Sequence, residues 1–528
     1  MSYADTFSRP FDAAQVLLED GSLASIECFG GVWTYRDISV SMNTADGAVS
    51  LCAEETPVCR LVLTWRVELP ADARFLGDHW ERGYGDFEFR GFARERRMPW
   101  YMLVLSGAGN FAVGVKTGCA ALCSWQAARD SVSLTLDVQN GGMGVILGGR
   151  TLLMAKVVTA DSRDENVFTF GRRFCGLLCD KPVMPKAPVY GGNNWYYAYG
   201  FSSHEKMLED SKFIASLAPG GSNRPFMYVD DGWEICQNTN YCGGPWHAGN
   251  VRFPDMPRLA EEMTKIGVQP GLWIRPLLNI GYTRKGHMLP RGRFLVEEYG
   301  GEFPWLLDPS LSEVTEWIHE DVKRIISWGF ASVKHDYTTY DIFGRFGKDM
   351  LHGEMTPSGW HFADRSRTTM EIILNLYRTI QDAAGNKPVI GCNTISHAAA
   401  GIHAIQRTGD DTSGIEWART RKMGVNTLAF RTMQHGAFYA ADADCVGITD
   451  NIPWRLNAQW LDLAAKSGTP LLVSIDPATA TAEHKAALMS AFALAAAEQP
   501  IAEPLDWLNS QTPCEYLLRG EKTMYSWE

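Results

Sequence analysis

Pro225-Phe226-Met227-Tyr228-Val229-Asp230 is a short apolar run ending in a carboxylate, and Gly271-Leu272-Trp273-Ile274 is a second one, ending at Arg275. Runs of this length without alternation read as strands buried on both faces, as a parallel sheet requires. Between them lies a helix signal: Asp255 as cap, Leu259, Met263 and Ile266 on one face, and Gly267 as the stop. A second helix follows, with Ser310 and Glu313 spaced as a capping box. Val314, Ile318, Val322 and Ile325 line one side of it, and Gly329 ends it. Strand, helix, strand, helix is the repeating unit of an α/β fold.

Working outward, further strands fall at Ala331 to Asp336, Pro388 to Asn393, His403 to Thr408, Ala437 to Asp442 and Thr469 to Ile475. Val189 to Trp195 opens the series, which makes eight. Eight strands alternating with helices predict a (β/α)8 TIM barrel in preference to an open sheet. Residues before about 180 differ in texture. Stretches such as Cys59 to Val67, Trp100 to Leu105 and Val132 to Leu136 are broken by Gly, Asp and Asn, which predicts an antiparallel β-sandwich. The expected division is a sandwich over 1–180, a proline-spaced linker over 181–188, a barrel over 189–500 and a short strand extension over 501–528.

The 528 residues carry a net charge of -12, which argues against nucleic acid or an anionic membrane as partner. The first residues lack a basic start followed by an apolar run, so a cytoplasmic protein with twelve reduced cysteines is expected. No CxxC or HExxH occurs, so neither metal nor cofactor is expected; a homo-oligomer is compatible with the composition.

Polar and ionisable residues gather where the strands end: Trp195, Asp230 and Asp231, Arg275, Lys334 to Asp336, Cys392 and Asn393, Asp410 and Asp411, Asp442 and Asp444, and Asp476. In a (β/α)8 barrel this is the rim that holds the active site. The long connections Leu277 to Pro309 and Tyr337 to Asp364 lie on the same rim. The second is rich in aromatics (Tyr337, Tyr340, Phe343, Phe346, Trp360 and Phe362), which either wall a sugar pocket or form a small core under the loop.

Asp336 follows Lys334 by two, so both side chains point the same way, and the lysine is placed to keep the aspartate ionised. A surface salt bridge explains that pattern equally well. Asp411 follows Arg407 by four on another strand, and either burial or Asp410 would raise its pKa, as a proton donor needs. A helix-capping pair of aspartates is the alternative. Cleavage of a glycosidic bond with retention requires two such carboxyls, one charged and one protonated.

From about residue 187 to 500 the chain resembles glycoside hydrolase clan D, the α-galactosidase families 27 and 36. Six motifs occur in the family's order. They are Asn194-Trp195, Asp230-Asp231-Gly232-Trp233, Gly271-Leu272-Trp273, Lys334-His335-Asp336, Arg407-Thr408-Gly409-Asp410-Asp411, and Asp442-Ala443-Asp444. Gly77 to Asp86 also resembles part of the family 36 sandwich. The resemblance implies that Asp336 is the nucleophile and Asp411 the acid/base. It further implies that Asp230 and Asp231 hold the far hydroxyls of the sugar, that Lys334 and Arg407 orient it, and that Trp195, Trp233 and Trp273 line its ring. Cys392, Asn393, Asp442 and Asp444 complete the implied site.

Departures from the family pattern include Arg275, Tyr337 after the implied nucleophile, and the Cys392 to His397 loop. Arg275 stands where many relatives have Glu, and is expected either to bridge Asp230 or Asp231 or to favour an anionic sugar. The Cys392 to His397 loop is closer to the raffinose synthase-like branch, which leaves galactose against N-acetylgalactosamine open. The implied activity is a retaining α-glycosidase on an oligosaccharide or glycoside. The rivals are a transglycosylase on the same residues and a sugar-binding protein with a dead site.

Overall fold

The computed structural model describes residues 3–235, 243–279, 286–290, 293 and 306–528. Much of the long Leu277 to Pro309 connection therefore lies outside the described residues. Among the described residues, thirteen antiparallel strands between Ala13 and Ser162 form the first sheet system. Their alternation is that of a half-buried sheet: in Val58–Arg66, Leu61, Leu63 and Trp65 are inward and fully buried, with Arg60, Val62 and Thr64 between them. The helix Val167–Leu178 packs on this sheet and is capped by Asn166, which accepts the Thr169 N–H at 2.8 Å.

The second system is a curled parallel sheet. It runs Tyr190–Asn193, Phe226–Val229, Gln269–Ile274, Ser332–His335, Val389–Gly391, Ile405–Arg407 and Ala440–Asp442 in spatial as well as chain order. Leu471–Ile475 pairs back onto Tyr190–Asn193. The seventh stave is split: Ala440–Asp442 pairs with the sixth strand, and Cys445–Ile448 pairs with the eighth. The break is at Ala443 and Asp444, and Asp444 takes a left-handed φ of 69°. The result is a distorted (β/α)8 barrel preceded by an antiparallel β domain.

Glycine makes room inside the barrel. A Cβ on Gly271 would lie 2.2 Å from the ring of Tyr228, and Tyr228 fills the interior with its hydroxyl 2.9 Å from the Ser332 Oγ. Phe226, Tyr228, Ile390, Ile405 and Leu472 form a core of their own inside the staves. Outside, Met256–Ile266 is capped by Asp255 and stopped by Gly267 at φ 117°, with Leu259 and Met263 buried as the periodicity requires. The second helix departs from expectation. Ser312–Ser327 starts after Leu311 with no side-chain cap, because Ser310 Oγ instead accepts the Asp364 N–H at 3.1 Å. A short three-stranded sheet, Glu503–Pro504, Glu515–Leu518 and Glu521–Met524, closes the chain.

One segment of the β domain reaches the barrel mouth. After the strand Arg74–Gly77 the chain runs to the rim, where Gly83 donates to the Thr408 carbonyl (2.8 Å) and accepts from the Asp410 N–H (2.9 Å). Asp78 anchors its start: Arg431 donates to Asp78 Oδ1 through Nε (2.9 Å) and Nη2 (2.7 Å), and Gln434 donates to Oδ2 (2.8 Å). Both charged residues are almost wholly buried. Removing one partner of such a pair strands the other charge. We expect Asp78→Ala to lower unfolding free energy by roughly 3–5 kcal/mol in urea titrations. A loss under about 1 kcal/mol would mean the segment is anchored elsewhere.

Candidate active site

Asp336 follows the fourth barrel strand and is 9% exposed. Its Oδ1 accepts two backbone N–H groups, from Tyr337 at 2.7 Å and Asn393 at 3.1 Å; its Oδ2 accepts the Trp273 indole N–H at 3.2 Å. The Tyr337 N–H is aimed by a left-handed backbone at that residue, φ 63°. A bulky residue there carries a conformational cost of about 1–2 kcal/mol, of the kind found where geometry serves a site. Lys334 is not the direct partner expected for Asp336. Its ammonium reaches across to Asp230 Oδ2 at 2.7 Å. Burial is the largest single effect and disfavours the charged lysine, but the charges of Asp230, Cys392 and Asp336 together outweigh it, so its pKa is raised well above the ordinary value.

Asp230 is correspondingly committed. Besides Lys334 it accepts the Asn193 amide at 2.6 Å and the Asp231 N–H at 3.0 Å. Asp231 is more open, and buried Glu234 stands beside it. Burial, followed by the charge and hydrogen bond of Asp231, holds Glu234 well above the usual carboxylate range, so this pair keeps a proton. Arg275 bridges neither Asp230 nor Asp231. It forks onto the fully buried Asp341 (Nε to Oδ2 3.0 Å, Nη2 to Oδ1 2.5 Å) and lies 4.2 Å over the Tyr337 ring.

Asp411 stands on the far side of Cys392. Arg407 Nη2 donates to its Oδ1 at 3.2 Å and Arg82 Nη1 at 3.4 Å. The same two guanidiniums reach Cys392 Sγ at 3.3 and 3.9 Å, while the adjacent Asn393 N–H holds Asp336. The two carboxyls therefore belong to one connected cluster from the fourth, fifth and sixth strand ends. The expected elevation of Asp411 is reversed. Burial pushes it up, but Arg407 first, then Arg82, Lys334 and Arg419, pull it down to about 2. Its side chain is 38% exposed, so solvent screens part of that pull.

Trp273 supports Asp336, as described. Trp233 is fully buried, with its indole donating to the Trp273 carbonyl at 2.9 Å, so it backs Trp273 and offers no ring face to a ligand. Trp195 is half-buried and packs edge-on against Tyr199. Asp444 Oδ2 is engaged by Arg407 (2.8 Å), the Thr412 N–H (2.8 Å) and hydroxyl (3.0 Å), and the Tyr196 hydroxyl. Of the loop aromatics, Tyr340, Phe343, Trp360 and Phe362 are buried, and Tyr337 and Phe346 are half-buried, Phe346 stacking on Tyr340. Asp476 is held by Lys206 at 2.7 Å.

Residues not singled out from the sequence complete the cluster. Arg82 also pairs with Asp410 at 2.9 Å, and its neighbour Glu81 accepts the Asn393 amide and the Gly347 N–H. Both belong to the Gly77 to Asp86 segment, whose family resemblance was the available signal. Asp341 and Glu234 gave none, since each is one acid among many in a loop.

No family model matches the chain, and no curated protein matches it in sequence. Solved structures do match in fold. The α-galactosidase TtGalA from Thermus thermophilus, in complex with p-nitrophenyl α-D-galactopyranoside, superposes with a TM-score of 0.62 at 17% identity over 98% of this chain and 99% of that one. A family 36 α-galactosidase, AgaA from Geobacillus stearothermophilus in complex with raffinose, gives 0.61 at 14% identity over 96% and 78%. A family 31 sulfoquinovosidase from E. rectale in complex with an aza-sugar inhibitor gives 0.58 at 11% over 98% and 87%. The shared architecture thus spans enzymes for different sugars.

Asp442 offers a direct check on the electrostatics. Burial raises its pKa from 3.8 to about 6, Arg407 opposing and Asp444 assisting. A carboxyl raised on folding binds its proton more tightly in the native state, so stability falls as pH rises from the unfolded to the folded value. Asp442→Asn should flatten that part of the thermal-stability profile between about pH 4 and 6. An unchanged slope there would contradict the assignment.

Proposed function

We propose that this chain is a retaining α-glycosidase, acting on α-galactosides by double displacement through a glycosyl-Asp336 intermediate. The observation that carries the reading is the linked pair. Asp336 is oriented by three N–H donors, and Asp411 is linked to it through Arg407, Cys392 and the adjacent Asn393. An Asp336 oxygen attacks the anomeric carbon as the bond to the leaving oxygen breaks, and Asp411 gives that oxygen its proton. Asp411 then takes a proton from water, whose oxygen attacks the anomeric carbon and frees Asp336, with configuration retained overall. Asp230 and Asp231 face the far hydroxyls, with Lys334 holding Asp230 in place and Trp195 beside the ring. The fold neighbours include α-galactosidases bound to galactosides, which supports galactose as the sugar.

The test is a panel of α-glycosides of galactose, N-acetylgalactosamine, glucose and sulfonated sugars, with and without an acceptor sugar. Asp336→Asn should lose at least ~100-fold in kcat, the scale of removing a covalent nucleophile. Near wild-type turnover in that variant would overturn the reading. Product distribution with acceptor separates hydrolysis from transglycosylation.

The low pKa of Asp411 makes a second demand. The glycosylation step needs its proton, so kcat/KM for an alkyl glycoside should fall with rising pH along a limb displaced toward acid. Arg82→Met removes one of the guanidiniums that hold Asp411 low, so that limb should move to higher pH. A nitrophenyl glycoside, whose leaving group departs as an anion, should show little of the limb. If the alkyl-glycoside limb is the same in wild type and Arg82→Met, Arg82 does not tune Asp411.

A further inference from the structure

Behind the segment that carries Arg82 into the barrel lies a separate cavity of about 310 Å³. Arg90, Arg96, Arg97, His79, His352 and Asp86 are among the residues that line it, and neither Asp336 nor Asp411 does. Its charges are unevenly paired. Arg90 is paired with Glu88, and Asp86 with His79 at 2.9 Å. Asp78, on the same wall, is committed to Arg431. Arg96 has no carboxylate partner among the described residues: its two terminal nitrogens donate to the carbonyls of Phe75 and Glu88, both at 2.9 Å. Burial, and after it the charge of Arg90, pulls its pKa down to about 10. Arg97 likewise donates only to a carbonyl, that of Gly353 at 2.5 Å, and forms no ion pair among the described residues. The remaining carboxylate on the wall, Glu95, is exposed to solvent and forms no ion pair there either. His79 is 4% exposed, and its Nδ1 has no hydrogen-bond partner.

Arg96 and Arg97 form no ion pair among the described residues, although Asp86 acts on Arg96 and Glu354 on Arg97 at longer range, and two unpaired guanidiniums lining one cavity form a receptor for an oxyanion. Planar N–H forks match phosphate oxygens, and a dianion gains most from several cations. We propose that this cavity binds a phosphate group, either inorganic phosphate or the phosphate of a sugar phosphate. Its walls include Gly77 to His79 and Asp86 to Phe87, the two ends of the segment whose middle holds Arg82 on Asp411. If the catalytic reading above holds, occupancy bears on the acid/base; the binding claim does not depend on it.

The test is isothermal titration of the intact protein with inorganic phosphate, a hexose phosphate and acetate, at constant ionic strength set with potassium chloride so that screening is matched. Saturable binding at one site per chain is expected for at least one phosphate, with acetate at least ~10-fold weaker. The stronger phosphate identifies the source. Arg97→Gln, which gives up one carbonyl contact and is expected to fold, should weaken binding at least ~10-fold, as should Arg96→Gln; thermal melts verify folding of both. Asp336→Asn should bind phosphate as wild type does, which separates this cavity from the catalytic one. Absence of saturable binding, or binding unaffected in folded Arg97→Gln, overturns the proposal.

Discussion

Six aspartates (Asp230, Asp336, Asp341, Asp411, Asp442 and Asp444) are brought to one end of one barrel, and like charges so close are tolerable only if each is separately compensated. The barrel mouth is organised around that constraint. Lys334 answers Asp230, Arg275 answers Asp341, Arg407 is shared between Asp444 and Asp411, and Arg82 is shared between Asp411 and Asp410. Among the described residues Asp336 receives no cation in direct contact; two backbone N–H groups and an indole hold it instead. A carboxylate held by neutral donors is not capped by a guanidinium, which is the arrangement the proposed nucleophile role calls for. Asp442 gets the least help, and its raised pKa is the consequence.

The compensation has a cost in backbone geometry and in domain coupling. Three of the six non-glycine residues with left-handed φ among the described residues, Tyr199, Tyr337 and Asp444, lie just past the first and fourth strands and in the split seventh. At Tyr337 the turn directs an N–H onto Asp336; at Asp444 it lets one stave break and serve two neighbours. The β domain is part of the site, since Glu81 and Arg82 reach Asn393 and Asp411 from it. The buried pair of Asp78 and Arg431 fastens that reach at its root.

The proposed double displacement would draw on one carboxylate with no direct cationic contact among the described residues and a second under guanidinium control. The fold alone does not select a sugar, because its relatives in shape include enzymes for galactosides and for a sulfonated sugar. The side chains at the rim differ in their freedom: Asp230 is fixed by Lys334, Glu234 beside Asp231 is held well above the usual carboxylate range, and Arg275 is forked onto Asp341.

The eight staves were legible because a buried parallel strand needs an uninterrupted apolar run, and that is a local property of sequence. So was the gathering of acids at the strand ends, where Asp230, Asp336 and Asp411 each follow such a run by a residue or a few. Which cation meets which acid was not legible. Lys334 lies two residues from Asp336 yet pairs with Asp230, 104 residues away; Arg275 takes Asp341, 66 away; and Arg82 reaches Asp411 across 329 residues. Long side chains choose among several acids within a few ångströms, and stave order, strand twist and the entry of the β-domain segment set those distances. Sequence determined the barrel and its acidic rim, whereas tertiary structure decided the partners and, through them, which carboxyls carry a proton.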